Sequence, residues 1–138
     1  TRKELLEEYL VVLAVKSPEN INLLKEEDFN LFSIQISRLI DYIKKKGVDF
    51  IDDVSTELKD ALNYFFLKAE IEEIKDNKIR EEFENCLGEI RKLAVREELN
   101  IISQEIKKAE QKKDIGKVNK LVKKFNQSSK LRGEAEID

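Results

Sequence analysis

Between Lys78 and Lys112 the chain has no proline and no turn cluster. A single helix over those roughly 35 residues would measure ~50 Å at a rise of about 1.5 Å per residue. Its apolar stripe does not keep to one face. Ile79, Phe83, Cys86, Leu87, Ile90, Leu93 and Ala94 form one stripe, and Val95, Leu99, Ile102, Ile106 and Ala109 form another. Counted at about 100° per residue, the second is rotated by roughly 140° from the first. Such a helix must pack against different partners in its two halves, or bend between them. The boundary between two subdomains is therefore expected near Arg96–Leu99.

The residues ahead of this helix read as further helices. Arg2 to Lys16 places Leu6, Leu10 and Leu13 on one face, supported by Leu5, Tyr9 and Val12, and the run from Leu10 to Val15 belongs to that face. Ser17-Pro18 ends it and opens a short second helix with Ile21 and Leu24 inward, serine being suited to the cap and proline to the first position. Glu26-Glu27-Asp28-Phe29 is a turn that plants an aromatic ring. A third helix runs to about Lys46 on Phe32, Ile36, Leu39, Ile40 and Ile43. Gly47 stops it, behind three lysines placed where the helix dipole favours cations. A short element is expected around Phe50, Ile51 and Val54. A longer helix then starts near Ser55, with Leu58, Ala61, Leu62, Phe65, Phe66 and Ala69 apolar, and ends near Asp76-Asn77.

Past the long helix, Lys113-Asp114-Ile115-Gly116 is the turn. Asp114 is a good N-cap, and the final helix shows Ile115, Val118, Val122 and Phe125, with Leu121 alongside. A connection this short makes the two helices antiparallel neighbours. The charge changes sign here. Residues 99–131 hold nine lysines against Glu105, Glu110 and Asp114, a net +6, whereas residues 1–98 hold 16 Lys+Arg and 23 Asp+Glu, a net −7. An acidic body with a basic two-helix appendage suits docking better than catalysis.

The remaining composition narrows the chemistry. Charged residues are 40% of the chain, with four Gly and one Pro, a balance that fits solvated helices rather than a turn-rich sheet protein. There is no His, which removes the commonest general base and the commonest transition-metal ligand together. Cys86 has no histidine to activate it and shares a stripe with Phe83 and Ile90, so it belongs in the core. The paired carboxylates Asp52/Asp53, Glu72/Glu73, Glu81/Glu82 and Glu97/Glu98 fit solvated helices, and the Glu-x-x-His of a di-metal bundle is absent. No Gly-rich phosphate loop, Walker pattern or calcium-loop spacing occurs. No catalytic residue, metal site or cofactor is expected. No apolar run reaches the ~18–20 residues of a membrane span. With no secretory signal and one Cys, a cytoplasmic location is expected. The opening Thr and the lack of any Met suggest a fragment of a longer protein. Clustered lysines can hold phosphates, but Arg is scarce among them, and Phe125 is at helical spacing with Val118 and Val122, which favours packing over base stacking.

Taken in order, these features resemble the helicase-binding C-terminal domain of bacterial DnaG-type primases. The likeness lies in Arg2-x-Glu4-Leu5-Leu6 closed by Ser17-Pro18-Glu19, in Glu27-Asp28-Phe29, and in Leu93 with Arg96-Glu97-Glu98-Leu99. It continues in Ile106-Lys107-Lys108-Ala109-Glu110, then Asp114, then Leu121 and Phe125. It covers about residues 2–131 and rests on order and spacing, not on any single motif. Members often carry Gly before the turn aspartate, where this chain has Lys113. The resemblance implies an all-α fold, a helical bundle joined by a long helix to a C-terminal helical hairpin. On that reading residues 1–96 are the bundle, 97–132 the hairpin and 133–138 a frayed tail. It implies a non-catalytic part of a primase whose zinc-binding region and polymerase core lie elsewhere. Its partner would be the N-terminal domains of the hexameric replicative helicase, bound largely through the hairpin, so that primer synthesis is recruited to the fork and helicase activity is modulated. Some members also bind the acidic tail of single-strand-binding protein on the bundle, and Lys3 is the nearest match to a basic position there.

The residues expected to bind the partner are Ile115, Val118, Leu121 and Phe125, through apolar contact and hairpin stability, and Lys117, Lys120 and Lys124, through electrostatic attraction. The plainer alternative is that the apolar four only hold the hairpin closed. A monomer is expected in isolation, with no membrane and no direct nucleic-acid partner. Two other readings stay open: the N-terminal domain of the helicase itself, and a basic helical module that binds nucleic acid directly.

Overall fold

The computed structural model describes residues 1–48 and 55–137, with residues 131–137 described by backbone alone. The fold is all-α, with no strand among the described residues. Among the described residues five α-helices follow one another: α1 (Arg2–Lys16), α2 (Ile34–Lys46), α3 (Thr56–Ile71), α4 (Ile79–Gln111) and α5 (Ile115–Ile137). Three 3-10 segments, Pro18–Leu23, Glu26–Asn30 and Asp76–Lys78, connect them. The chain divides into two compact units, Thr1–Ile90 and Arg91–Asp138. The division falls earlier than the expected 96, within α4. The short element expected around Phe50, Ile51 and Val54, and the Asp52/Asp53 pair, lie outside the described residues.

The first unit is organised by α1. Leu10, Val11, Val12, Leu13 and Ala14 are all buried, so the second half of α1 is covered on every side and is more than the single face its pattern suggested. The α2 and α3 helices and the Pro18–Leu23 segment pack on it. The first half of α4 is tied to it by polar links: Arg2 to Glu89 at 2.9 Å, the Tyr9 hydroxyl donating to Glu82 at 3.0 Å, and the Cys86 thiol donating to the Leu6 carbonyl at 3.1 Å. Leu5, expected to support the core face, is exposed at 67%. The core extends from α1 through Ile36, Leu39, Ile40 and Ile43 to Leu62, Phe65 and Ala69, and on to Phe83, Leu87 and Ile90.

Local signals explain most of the boundaries. The Thr1 hydroxyl accepts from the Glu4 N–H, and Ser33 and Ser55 cap α2 and α3 by accepting from Ile36 and Leu58. Gly47, at φ 72°, closes α2 behind Lys44–Lys46. Ser17 does not act as the expected side-chain cap, because its hydroxyl donates to Glu19 instead. That bond holds the exposed Glu19 carboxyl below its ordinary pKa.

Two helix ends differ from expectation. α3 stops at Ile71 rather than near Asp76-Asn77, and Glu72 turns into extended backbone. At about 100° per residue, continuation would carry Ile74 to the side of α3 facing away from Leu62, Phe65 and Ala69. Stopping early lets Ile74 pack against the core from outside the helix. α5 in turn runs to Ile137, so the tail expected to fray from Gly133 is helical. Arg132, Glu134, Ala135 and Glu136 are good helix formers, and a lone Gly133 costs only about 1 kcal/mol against alanine.

Candidate functional site

The second unit is a helical hairpin built from the end of α4, a three-residue turn (112–114) and α5. Its turn is a complete Schellman motif. The Asp114 N–H reaches the Ala109 carbonyl and the Lys113 N–H reaches that of Glu110, both at 3.0 Å. Lys113 sits at φ 57°, in the left-handed region where glycine is the usual occupant. Asp114 then begins α5, its carboxylate accepting from the Lys117 N–H at 3.1 Å and its carbonyl from the Val118 N–H at 3.0 Å. One residue therefore closes the first helix through its N–H and opens the second through its oxygens.

The hairpin core is small. Ile102, Ala109 and Leu121 are buried, with Ile106, Val118 and Phe125 partly buried against them. Farther from the turn, the buried Ser128 donates from its hydroxyl to Glu98 at 3.2 Å. Ser128 was not singled out in the sequence, where the apolar pattern of the last helix ends at Phe125. The clue was Ser128 seven residues after Leu121, the same helix face two turns on.

The proposed partner-binding residues thus fall into three groups. Leu121 is buried, and Val118 and Phe125 are half-buried, all three packed inside the hairpin. Ile115 stands apart, 73% exposed at the start of α5. Lys117, Lys120 and Lys124 are exposed. Two exposed apolar residues were not singled out, Val122 on α5 at 41% and Ile101 on α4 at 51%. Val122 follows Ile115 by seven residues, so the two share an edge of α5 beside its packed face. Counting exposure along that edge, not along the core stripe, would have found it.

The chemistry available is that of contact. Among the described residues no group of three His, Cys, Asp or Glu is placed to hold a metal ion. Burial, reinforced by Glu82 and Glu89, pushes the Cys86 thiol up to about 12, so it remains protonated in its core position. No helix among the described residues is long and apolar enough to cross a membrane. What the hairpin does offer is an exposed apolar edge on a strongly basic element. Searches of protein-family models, curated proteins and solved structures found no match to the chain.

Proposed function

We propose that this chain is a protein-interaction domain without catalysis of its own, the helicase-docking part of a bacterial DNA primase. It acts in the cytoplasm, binding the N-terminal domains of the hexameric replicative helicase to bring primer synthesis to the fork. The observation that carries the docking reading is the hairpin's division of its apolar residues. Leu121, Val118 and Phe125 are used in closing it, while Ile115 and Val122 stay uncovered among lysines. Exposed apolar side chains on a charged rim are the usual anatomy of an interface, apolar contact giving affinity and charge steering encounter. The identity of the partner is carried by the sequence resemblance.

The test is co-sedimentation of the chain with the cognate hexameric helicase, comparing the natural sequence with the double variant Ile115→Asp, Val122→Asp. Both positions are exposed, so the variant is expected to keep its helical circular dichroism. Binding is expected to weaken by about tenfold or more, the scale of losing one interface hot spot. Unchanged affinity overturns the assignment to this edge. A second reading, direct nucleic-acid binding, is favoured by the exposed lysines of α5. It predicts tight, salt-sensitive oligonucleotide binding with no protein partner present.

A further inference from the structure

The first unit carries an apolar face that its own core does not use. On α3, Tyr64, Leu67 and Ile71 are exposed at 44%, 62% and 78%. Their spacing places them within one ~60° arc, turned away from Leu62, Phe65 and Ala69. Glu57 and Asp60 continue the same face toward the start of α3. Its one lysine, Lys68, is engaged, with its ammonium 5.3 Å from the Tyr64 ring centroid and 3.7 Å from Glu8. The face is therefore apolar at one end and acidic at the other. α5 offers the opposite pattern. Ile115 and Val122 form an apolar edge, and by the same angular count Lys123 and Lys130 flank it.

We propose that the α3 face docks the α5 edge of a second copy of this chain, head to tail, with Glu57 and Asp60 meeting Lys123 and Lys130. The complementarity is repeated in the whole sequence, −7 over residues 1–98 against +6 over residues 99–131. Only two or three large side chains are covered on each copy, so the contact is weak and forms in concentrated protein. The monomer expected for the isolated chain is the dilute species. The two surfaces differ, so the contact is heterologous, and an open row of copies keeps one free α3 face at one end and one free α5 edge at the other. The two exposed faces carry this contact, which does not depend on the helicase reading.

Sedimentation velocity over a concentration series tests it, with Leu67→Asp, Ile71→Asp as the α3 variant and Ile115→Asp, Val122→Asp as the α5 variant. The natural chain is expected to show a rising average mass with concentration, reduced by salt. Each variant alone is expected to lose the association by about tenfold or more. An equimolar mixture of the two variants should recover it as pairs, because one brings an intact α5 edge and the other an intact α3 face. A constant monomer mass for the natural chain overturns the proposal. So does association that one variant retains alone, or a mixture that fails to recover it while both variants keep the natural circular dichroism spectrum.

Discussion

The two units are built from the same kind of helix but hold together at different depths. Among the described residues, Thr1–Ile90 encloses twenty buried residues in one continuous cluster around α1, whereas the hairpin core has three. A large core makes every helix depend on the others, so the first unit should open as a whole. A three-residue core supports only local cooperativity, and the hairpin can open without the rest. Low local stability is common in elements that bind partners, because their apolar groups are shared between self-packing and the partner.

Paired truncations measure this contrast most directly. Phe83 is fully buried, and Phe83→Ala is expected to cost about 3–5 kcal/mol and lower amide protection throughout the first unit. Leu121→Ala is expected to cost about 2–3 kcal/mol, with lost protection confined to α5 and the end of α4. Native-state hydrogen exchange resolved by residue reads both. If Leu121→Ala deprotects α1 as strongly as α5, the separation into two cooperative units is wrong.

Glu7 sharpens the picture of the first unit. It lies on α1 at 3% exposure and accepts from the Ser33 N–H at 3.2 Å and the Ser33 hydroxyl at 3.1 Å, with Lys3 at 3.8 Å. A buried carboxylate thus supports the first turn of α2, where the helix dipole favours negative charge. Glu7→Ala leaves the Ser33 donors without this acceptor and is expected to cost about 1–3 kcal/mol by urea denaturation. Ser33→Ala should lower the further cost of Glu7→Ala in a double-mutant cycle, and strict additivity would show that the link contributes nothing.

How far such features could be read from the sequence depends on the kind of signal. The bounds of α1, α2 and α4 follow from apolar periodicity and from capping residues, and both signals are local. The end of α3 is not local, because it depends on where Ile74 can find the core. Leu5 has the helical spacing of a core residue, yet no neighbour covers it. The α3 stripe of Tyr64, Leu67 and Ile71 was present at i, i+3 and i+7, but α3 carries a second apolar face, and the larger one drew the assignment. In the hairpin the α4 stripe of Ile102, Ile106 and Ala109 was legible, but on α5 Ile115 and Val122 were read into the stripe although they stay exposed, and Leu121, read as lying alongside, is the buried residue. Periodicity reports which residues align, while exposure depends on how wide the facing helix is.

Alkaline pH separates the two units by chemistry. Burial and the hydrogen bond to Glu82 push Tyr9 from 10.0 up to about 12, and burial with Glu82 and Glu89 pushes Cys86 from 9.0 up to about 12. Both residues belong to the first unit. The folded chain keeps protons there that the unfolded chain releases, so this contribution to stability is complete below about pH 9 and is lost as pH rises toward 12. Urea titrations between pH 8 and 11 are expected to show declining stability, with a shallower decline in the double variant Tyr9→Phe, Cys86→Ala. Parallel curves for the two proteins would assign the decline elsewhere.

The smallest expected effect tests the turn of the hairpin. Lys113 occupies a left-handed position at C′ of the Schellman motif, which costs a non-glycine residue about 1 kcal/mol. Lys113→Gly removes that cost but adds conformational freedom to the unfolded chain, worth about 0.4–1 kcal/mol. It also removes a cation from the C-terminal end of α4, where the dipole favours one by about 0.3 kcal/mol or more. The three contributions nearly cancel, leaving a net change within about 0.5 kcal/mol. Lys113→Ala keeps the backbone cost and loses the charge, so it should be less stable than the glycine variant. Exchange rates of the α5 amides, which report hairpin opening alone, should therefore rank Lys113→Ala as the faster of the two. Both variants lack the lysine charge, so the opposite ranking would mean that glycine's added freedom in the open state outweighs relief of the left-handed backbone.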